Sequence, residues 1–155
     1  MRKKVIKKPA EASSTEEHPW LDLAQVARVE VTSEEEAHPV EAALLPDREG
    51  GWRAAEPGEQ LLRLMFDEPQ TLGRVRLVFE VTETRTQEFV LRYMASSGQF
   101  QEVARQQFNF SADGATREVE EYQVNLQGVE VLELLITPNI GGGEARASLK
   151  RLRLA

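Results

Sequence analysis

The sequence predicts an all-β domain in which eight short antiparallel strands form a two-sheet sandwich. Apolar and polar residues alternate from position 75 to 81 and again from 89 to 93, with the period of two that is typical of half-buried strands. Similar runs recur at short spacing, separated by turns rich in Pro, Gly, Asn and Ser. No long segment has the period of an amphipathic helix, and this pattern favours a sandwich.

The chain is predicted to begin with a disordered leader, residues 1–19, followed by one folded domain, residues 20–155. The leader is basic and polar, with too little apolar content to offset the entropy of ordering it. Its one adjacent apolar pair, Val5 and Ile6, is too short for a signal peptide or a membrane span. Contact between this basic segment and an anionic partner stays open as an alternative.

The folded part is predicted to start with Trp20, Leu21 and Leu23, which cover one side of the core. A short helical turn is predicted at 33–36, ending before Pro39 because a residue before proline avoids the helical region. Residues 39–57 are predicted to be mostly loop. The eight predicted strands are 26–32, 60–66, 72–81, 86–94, 100–110, 117–126, 129–137 and 147–154.

The cysteine count and the net charge exclude some kinds of site and make some kinds of partner unexpected. The chain has no cysteine, which excludes disulfides and thiolate metal sites and is consistent with a cytoplasmic protein. The formal net charge is −7, and after Lys8 fourteen basic residues face twenty-six acidic ones, a formal charge of −12. Nucleic acid is therefore not an expected partner, since affinity for phosphate backbones comes from clustered Lys and Arg.

Six segments of the chain together form a pattern of order and spacing: 29–34, 39–44, Gly51-Trp52-Arg53-Ala54, 58–64, 75–79 and 147–154. In this order and spacing they resemble the discoidin family, the C-type domains of coagulation factors and their bacterial carbohydrate-binding relatives. The resemblance spans about residue 24 to the C-terminus. It implies a galactose-binding-like jelly roll whose ligand site lies in the loops at one end.

Many members of the family that the chain resembles hold a calcium ion, and this sequence departs from their ligand pattern. Relatives place an Asp-Gly-Asp element before the Gly-Trp pair and an acidic residue in the last strand. Here the first position reads Leu45-Pro46-Asp47, and the last strand offers Lys150 and Arg151. Calcium prefers six to eight oxygen ligands. We therefore expect no metal and no cofactor, with Asp47 the one surviving ligand if calcium were held.

Catalysis is not expected. The two histidines, His18 and His38, lie in the leader and in a loop, and no cysteine is present to serve as a nucleophile. Adjacent carboxylates do not by themselves form the facing acid and base of a glycosidase. The run Gly141–Gly143 lacks the Lys and the helix of a phosphate-binding loop.

The sequence therefore predicts a non-catalytic binding module, with carbohydrate recognition as the function that the resemblance implies. A ring face and forked polar groups are the chemistry that binds sugars. Two of the candidate residues have a second interpretation. Trp52 could instead pack inward beneath its loop, and Arg85 could instead be a simple exposed charge. The alternative function is a protein-interaction or scaffold domain in a cytoplasmic bacterial assembly. The candidate ligand-binding residues are Asp47, Arg48, Trp52, Arg53, Arg85 and Asn139.

Overall fold

The computed structural model describes residues 19–155, so the predicted leader lies outside the described residues except for Pro19. No helix in this range is long and apolar enough to span a membrane. The elements, in order, are α1 (Leu23–Val26), β1 (Ala27–Val31), α2 (Glu41–Leu44), β2 (Trp52–Arg53), β3 (Gln60–Glu80), β4 (Arg85–Met94), β5 (Phe100–Phe110), β6 (Arg117–Thr137), β7 (Ser148–Leu149) and β8 (Arg151–Leu154).

Two long strands, β3 and β6, belong to both layers of a sandwich. The front layer has the order β1, β3, β6, β4, β5 and uses residues 60–66 of β3 and 129–137 of β6. The back layer consists of residues 72–80 of β3, residues 117–126 of β6, and β8. The register shifts between Met65 and Arg74 are the bulges at which the paired strands bend from one layer to the other. The predicted antiparallel jelly-roll sandwich is confirmed.

The core lies between the inner faces of the two layers. Phe79 of the back layer stacks on Phe89 of the front layer, with ring centroids 5.4 Å apart. The alternation predicted from the sequence holds on both faces. The inward residues Val75, Leu77, Phe79, Leu132, Leu134, Ile136, Leu152 and Leu154 are all buried.

The strand boundaries differ from the prediction in two places. Pro69 and the Gln127-Gly128 pair were expected to interrupt the chain, but β3 and β6 each continue through them. At a bulge the ladder is already irregular, so the missing N–H of proline costs no regular hydrogen bond. The predicted last strand, 147–154, is instead divided into β7, which pairs with β2, and β8, which pairs with β3.

The segment before β3 also corrects the prediction. Residues 33–36 do not form a helical turn; a β-bridge joins Glu35 to His38, and the Glu34 carboxylate accepts a hydrogen bond from the Val40 N–H at 2.6 Å. That contact precedes α2, a helical turn within the segment predicted as loop. The loop then returns through Gly51, where an added Cβ would lie 2.7 Å from Leu149 O, so only glycine permits β2 to pair with β7.

A row of alternating charges crosses the outer face of the front layer. In cross-strand register it reads Glu30, Arg63, Glu133, Arg92 and Glu102, one residue from each of the five strands. We call this row the charge ladder. Glu133, at its centre, is fully buried although it points away from the core. Its carboxylate accepts from Arg63 Nε at 2.5 Å and from Arg92 Nε at 2.7 Å, and these two side chains cover it.

Candidate functional site

A cavity of about 210 Å³ opens at one end of the sandwich. It lies between the β2 and β7 pair and the turn that joins β3 to β4, and the triple-glycine loop supplies one further residue, Arg146. The residues that line it are His38, Gly50, Trp52, Arg53, Glu80, Val81, Thr82, Glu83, Arg85, Arg146 and Ser148.

Arg85 forms part of the wall of this cavity and is nearly buried, with 3% of its side chain exposed. Its position follows from the strand period, since Arg85, Gln87, Phe89 and Leu91 share the inner face of β4. Arg85 Nη1 lies 3.4 Å from Glu83 Oε1, and Arg85 Nε has no hydrogen-bond partner within residues 19–155. Burial lowers the pKa of the Arg85 guanidinium, Glu83 opposes that effect, and the charge of Arg53 lowers the pKa further.

The other charged side chains around the cavity are engaged with one another. Glu35 accepts from Arg146 Nη1 at 3.0 Å and lies 3.8 Å from Arg53 Nε. Glu80, which lines the cavity, pairs with Arg117 at 3.0 Å and with Lys150 at 3.7 Å. Among the residues that line the cavity, three guanidinium groups, those of Arg53, Arg85 and Arg146, accompany two carboxylates, those of Glu80 and Glu83, so the lining has an excess of positive charge on an acidic protein.

His38 adds an imidazole ring to the cavity wall. Its Nδ1 lies 3.2 Å from Gly50 O, and because a carbonyl only accepts, Nδ1 carries the proton in this contact. In the neutral ring Nε2 is then the acceptor. Together the cavity offers guanidinium donors, the His38 imidazole and the Thr82 and Ser148 hydroxyls, which is the chemistry of a polar ligand site.

Three of the six predicted ligand-binding residues, Trp52, Arg53 and Arg85, line this cavity. Trp52 is 1% exposed, and its indole Nε1 donates to Ser33 O at 2.9 Å. Its ring therefore supports the loop from beneath and does not present an open face. Arg53 is half-exposed at the rim.

The other three predicted residues do not line the cavity. Asp47 and Arg48 are exposed in the turn after α2. Asn139 braces the triple-glycine loop against the start of β4: its Oδ1 accepts from the Thr86 N–H at 3.4 Å, and its Nδ2 donates to Gly142 O at 3.3 Å. Sequence reasoning missed Glu35, Glu80 and Arg146, and it placed His38 on an exposed loop. Strand periodicity carries no signal for such contacts between loops.

The loop before the Gly-Trp pair, where the resemblance implies calcium, is held by an arginine of the last strand. Arg153 is 8% exposed and donates from Nη1 to Ala43 O at 3.1 Å and to Leu152 O at 2.9 Å, and from Nη2 to Leu45 O at 3.4 Å. A guanidinium thus binds the loop carbonyls, and the adjacent Asp47 is exposed. In residues 19–155 no three His, Asp or Glu side chains gather as a metal site. These residues do not fit calcium.

Replacing Arg153 with methionine is expected to lower the free energy of unfolding by about 2 kcal/mol, because buried carbonyls of Ala43 and Leu45 lose their donor. Thermal unfolding followed by circular dichroism measures the loss. Arg151→Met, on the same strand and half-exposed, is the matched control and should change stability by less than about 0.5 kcal/mol. Stabilisation of the native chain, with Arg153 in place, by added calcium would contradict the assignment.

A second group of polar side chains is buried inside the sandwich near the cavity end. Glu118 is 3% exposed and Gln87 is 1% exposed, and neither their carboxylate nor their amide atoms have a hydrogen-bond partner within the described range. Burial, and next the neighbouring Glu120, raise the pKa of Glu118 to about 8. Burial also raises the pKa of Tyr122 to about 12. Glu118 does not line the cavity.

Comparisons with known proteins show the fold. No family model and no curated protein matches the sequence. Among solved structures, the chain is similar to the family 32 carbohydrate-binding module of AlyQ in complex with 4,5-unsaturated mannuronic acid, with 14% identity, 89% of this chain and 98% of that chain covered, and a TM-score of 0.64. A family 32 module from C. perfringens NanJ in complex with galactose has 13% identity, covers 87% and 96%, and has a TM-score of 0.62.

A third similar structure is of a different functional class. Reduced XRCC1 bound to the catalytic domain of DNA polymerase β has 12% identity, covers 88% of this chain and 98% of that chain, and has a TM-score of 0.63. Carbohydrate-binding and protein-binding domains are thus equally similar to this chain in shape. At these identities the likeness shows the architecture alone, so function has to be argued from the site. The chain has the galactose-binding-like jelly-roll fold that family 32 modules share with discoidin domains.

Proposed function

We propose that the protein is a non-catalytic module that binds a saccharide in the cavity at the end of the sandwich. The observation that carries this proposal is Arg85, a buried guanidinium in the cavity wall whose one carboxylate contact is long and whose Nε has no partner among the described residues. A buried charge without good compensation destabilises the fold. Proteins keep such groups where a ligand supplies the missing contacts.

Two features support a sugar as the ligand. The cavity combines forked guanidinium donors, an imidazole and hydroxyls. Its volume equals that of roughly seven water molecules in the liquid, which suits one sugar ring more than an extended chain. Two proteins of the same fold, named above, are carbohydrate-binding modules whose structures are of complexes with sugars. The cavity lining has no exposed aromatic face, so hydrogen bonds would provide most of the affinity.

The test is a calorimetric titration of the purified protein with a panel of mono- and oligosaccharides, which measures the affinity for each sugar. Arg85→Gln is expected to weaken the bound sugar at least tenfold, equivalent to about 1.4 kcal/mol. The same variant should unfold at an equal or higher temperature, because a poorly paired buried charge has been removed. Arg28→Gln, an exposed arginine on β1, is the control for loss of charge.

A flat saccharide panel, or a sugar whose affinity is unchanged in Arg85→Gln, would contradict the proposal. The opposite signs expected for affinity and stability also separate a binding role from a structural one. If Arg85 only supported the fold, the substitution would lower the unfolding temperature.

A second candidate function is protein interaction, as a scaffold domain in a cytoplasmic bacterial assembly. It is favoured by a half-exposed apolar row on the outer face of the front layer, next to the charge ladder. Met65, Val131, Met94 and Phe100 lie in cross-strand register there, and Phe100 is 39% exposed. Specific capture of one protein together with a flat saccharide panel would favour this candidate.

A further inference from the structure

The carboxylates near the cavity compensate the positive charge of the buried Arg85 guanidinium only weakly. Glu35 is engaged by Arg146 and faces Arg53, and Glu80 is engaged by Arg117 and Lys150. That leaves Glu83, whose side chain is 60% exposed and whose contact with Arg85 is 3.4 Å long. A solvated carboxylate at that distance compensates a buried guanidinium poorly.

Arg53 lies on the same cavity as Arg85 and carries the same charge. Burial lowers the pKa of Arg85 most, and the charge of Arg53 lowers it further. Two guanidinium groups that repel each other across one small cavity are both stabilised by an anion placed between them. A carboxylate is the anion whose planar geometry matches the guanidinium fork.

We propose that the saccharide site is selective for sugar acids, with the carboxylate of a uronic acid bound at Arg85 and facing Arg53. This inference rests on the saccharide binding proposed above and adds the chemical class of the ligand. A neutral sugar would leave the positive excess of the cavity uncompensated. A uronate offers one planar carboxylate on a ring that the cavity can hold, and its charge suits a positive site on an otherwise acidic protein.

The experiment compares each uronic acid with the neutral hexose of the same ring configuration. Galacturonate with galactose, glucuronate with glucose, and mannuronate with mannose are titrated into the full chain by calorimetry. We expect at least one uronate to bind ten times more tightly than its neutral counterpart. Arg85→Gln should abolish that preference, whereas Arg28→Gln should keep it. The methyl ester of the preferred uronate should bind like the neutral sugar, because esterification removes the charge and little else.

The outcomes separate this inference from the function on which it rests. Neutral hexoses that bind as tightly as the uronates would overturn the selectivity and leave saccharide binding in place. A panel in which no sugar of either kind binds would overturn both. Tighter binding of galactose 6-sulfate than of galacturonate would overturn the choice of a carboxylate. A uronate preference that survives in Arg85→Gln would overturn the assignment of Arg85.

Discussion

Glu133→Gln is expected to lower the free energy of unfolding by about 3 kcal/mol, a decrease in melting temperature of about 6 to 12 °C for a chain of this size. The carboxylate is fully buried at the centre of the charge ladder and accepts from two guanidinium groups. A neutral amide satisfies one of them at most, and both arginines then lose a buried counterion. Urea unfolding measured by circular dichroism gives the difference.

The charge ladder provides its own control. Glu30 pairs with the same Arg63 at 3.0 Å but is 58% exposed, so Glu30→Gln should cost less than about 1 kcal/mol. Equal losses in the two variants would mean that burial of Glu133 contributes nothing beyond a surface ion pair. The control matters because both substitutions remove one negative charge and one partner of Arg63.

The second large effect is on the pH dependence of stability. The pKa of Glu118 is about 8 in the folded state, against 4.5 as its ordinary value. Between these two pH values the folded protein holds a proton that the unfolded chain has released, so the free energy of unfolding falls as pH rises through this window. Glu118→Gln carries no such proton. We expect the variant to gain up to about 5 kcal/mol relative to the native chain between pH 4.5 and pH 9, since each pKa unit between the two values corresponds to about 1.4 kcal/mol.

Denaturant unfolding at a series of pH values measures this gain. Other groups titrate in the same range, so the informative quantity is the difference between variant and native chain at each pH. Glu121→Gln, an exposed carboxylate on the same strand, should parallel the native curve. Parallel curves for Glu118→Gln would show that the buried carboxyl ionises at its ordinary pKa.

The sequence predicted the layers of the fold because burial of apolar side chains imposes a period of two on a strand. Val75, Leu77 and Phe79 could be assigned to the inner face from alternation alone. Strand ends were less predictable. Pro69 and Gly128 are typical turn residues, and only the pairing of β3 with β6 shows that they sit at bulges within continuous strands.

The candidate site was predicted in part. Arg53 and Arg85 were predicted as sugar-binding guanidinium groups in the end loops that the resemblance implies. The contact of Glu35 with Arg146 joins residues 111 positions apart, and no local pattern encodes it. Buried polar groups were missed for another reason. A polar residue on a strand is assigned to the surface by default, yet Gln87 and Glu118 lie inside, where tertiary packing overrides that preference.

Because β3 and β6 run continuously through both layers, we expect that the two layers open together. Each strand crosses from one layer to the other, so unfolding of its back-layer part is expected to disturb the front-layer part that pairs with β1 or β4. The sandwich is therefore expected to exchange its central amide protons through one global opening, not through separate openings of two layers. A ligand bound at the cavity end would then slow that exchange throughout the sheet. It stabilises the folded state, in which the amides of all the strands are protected together.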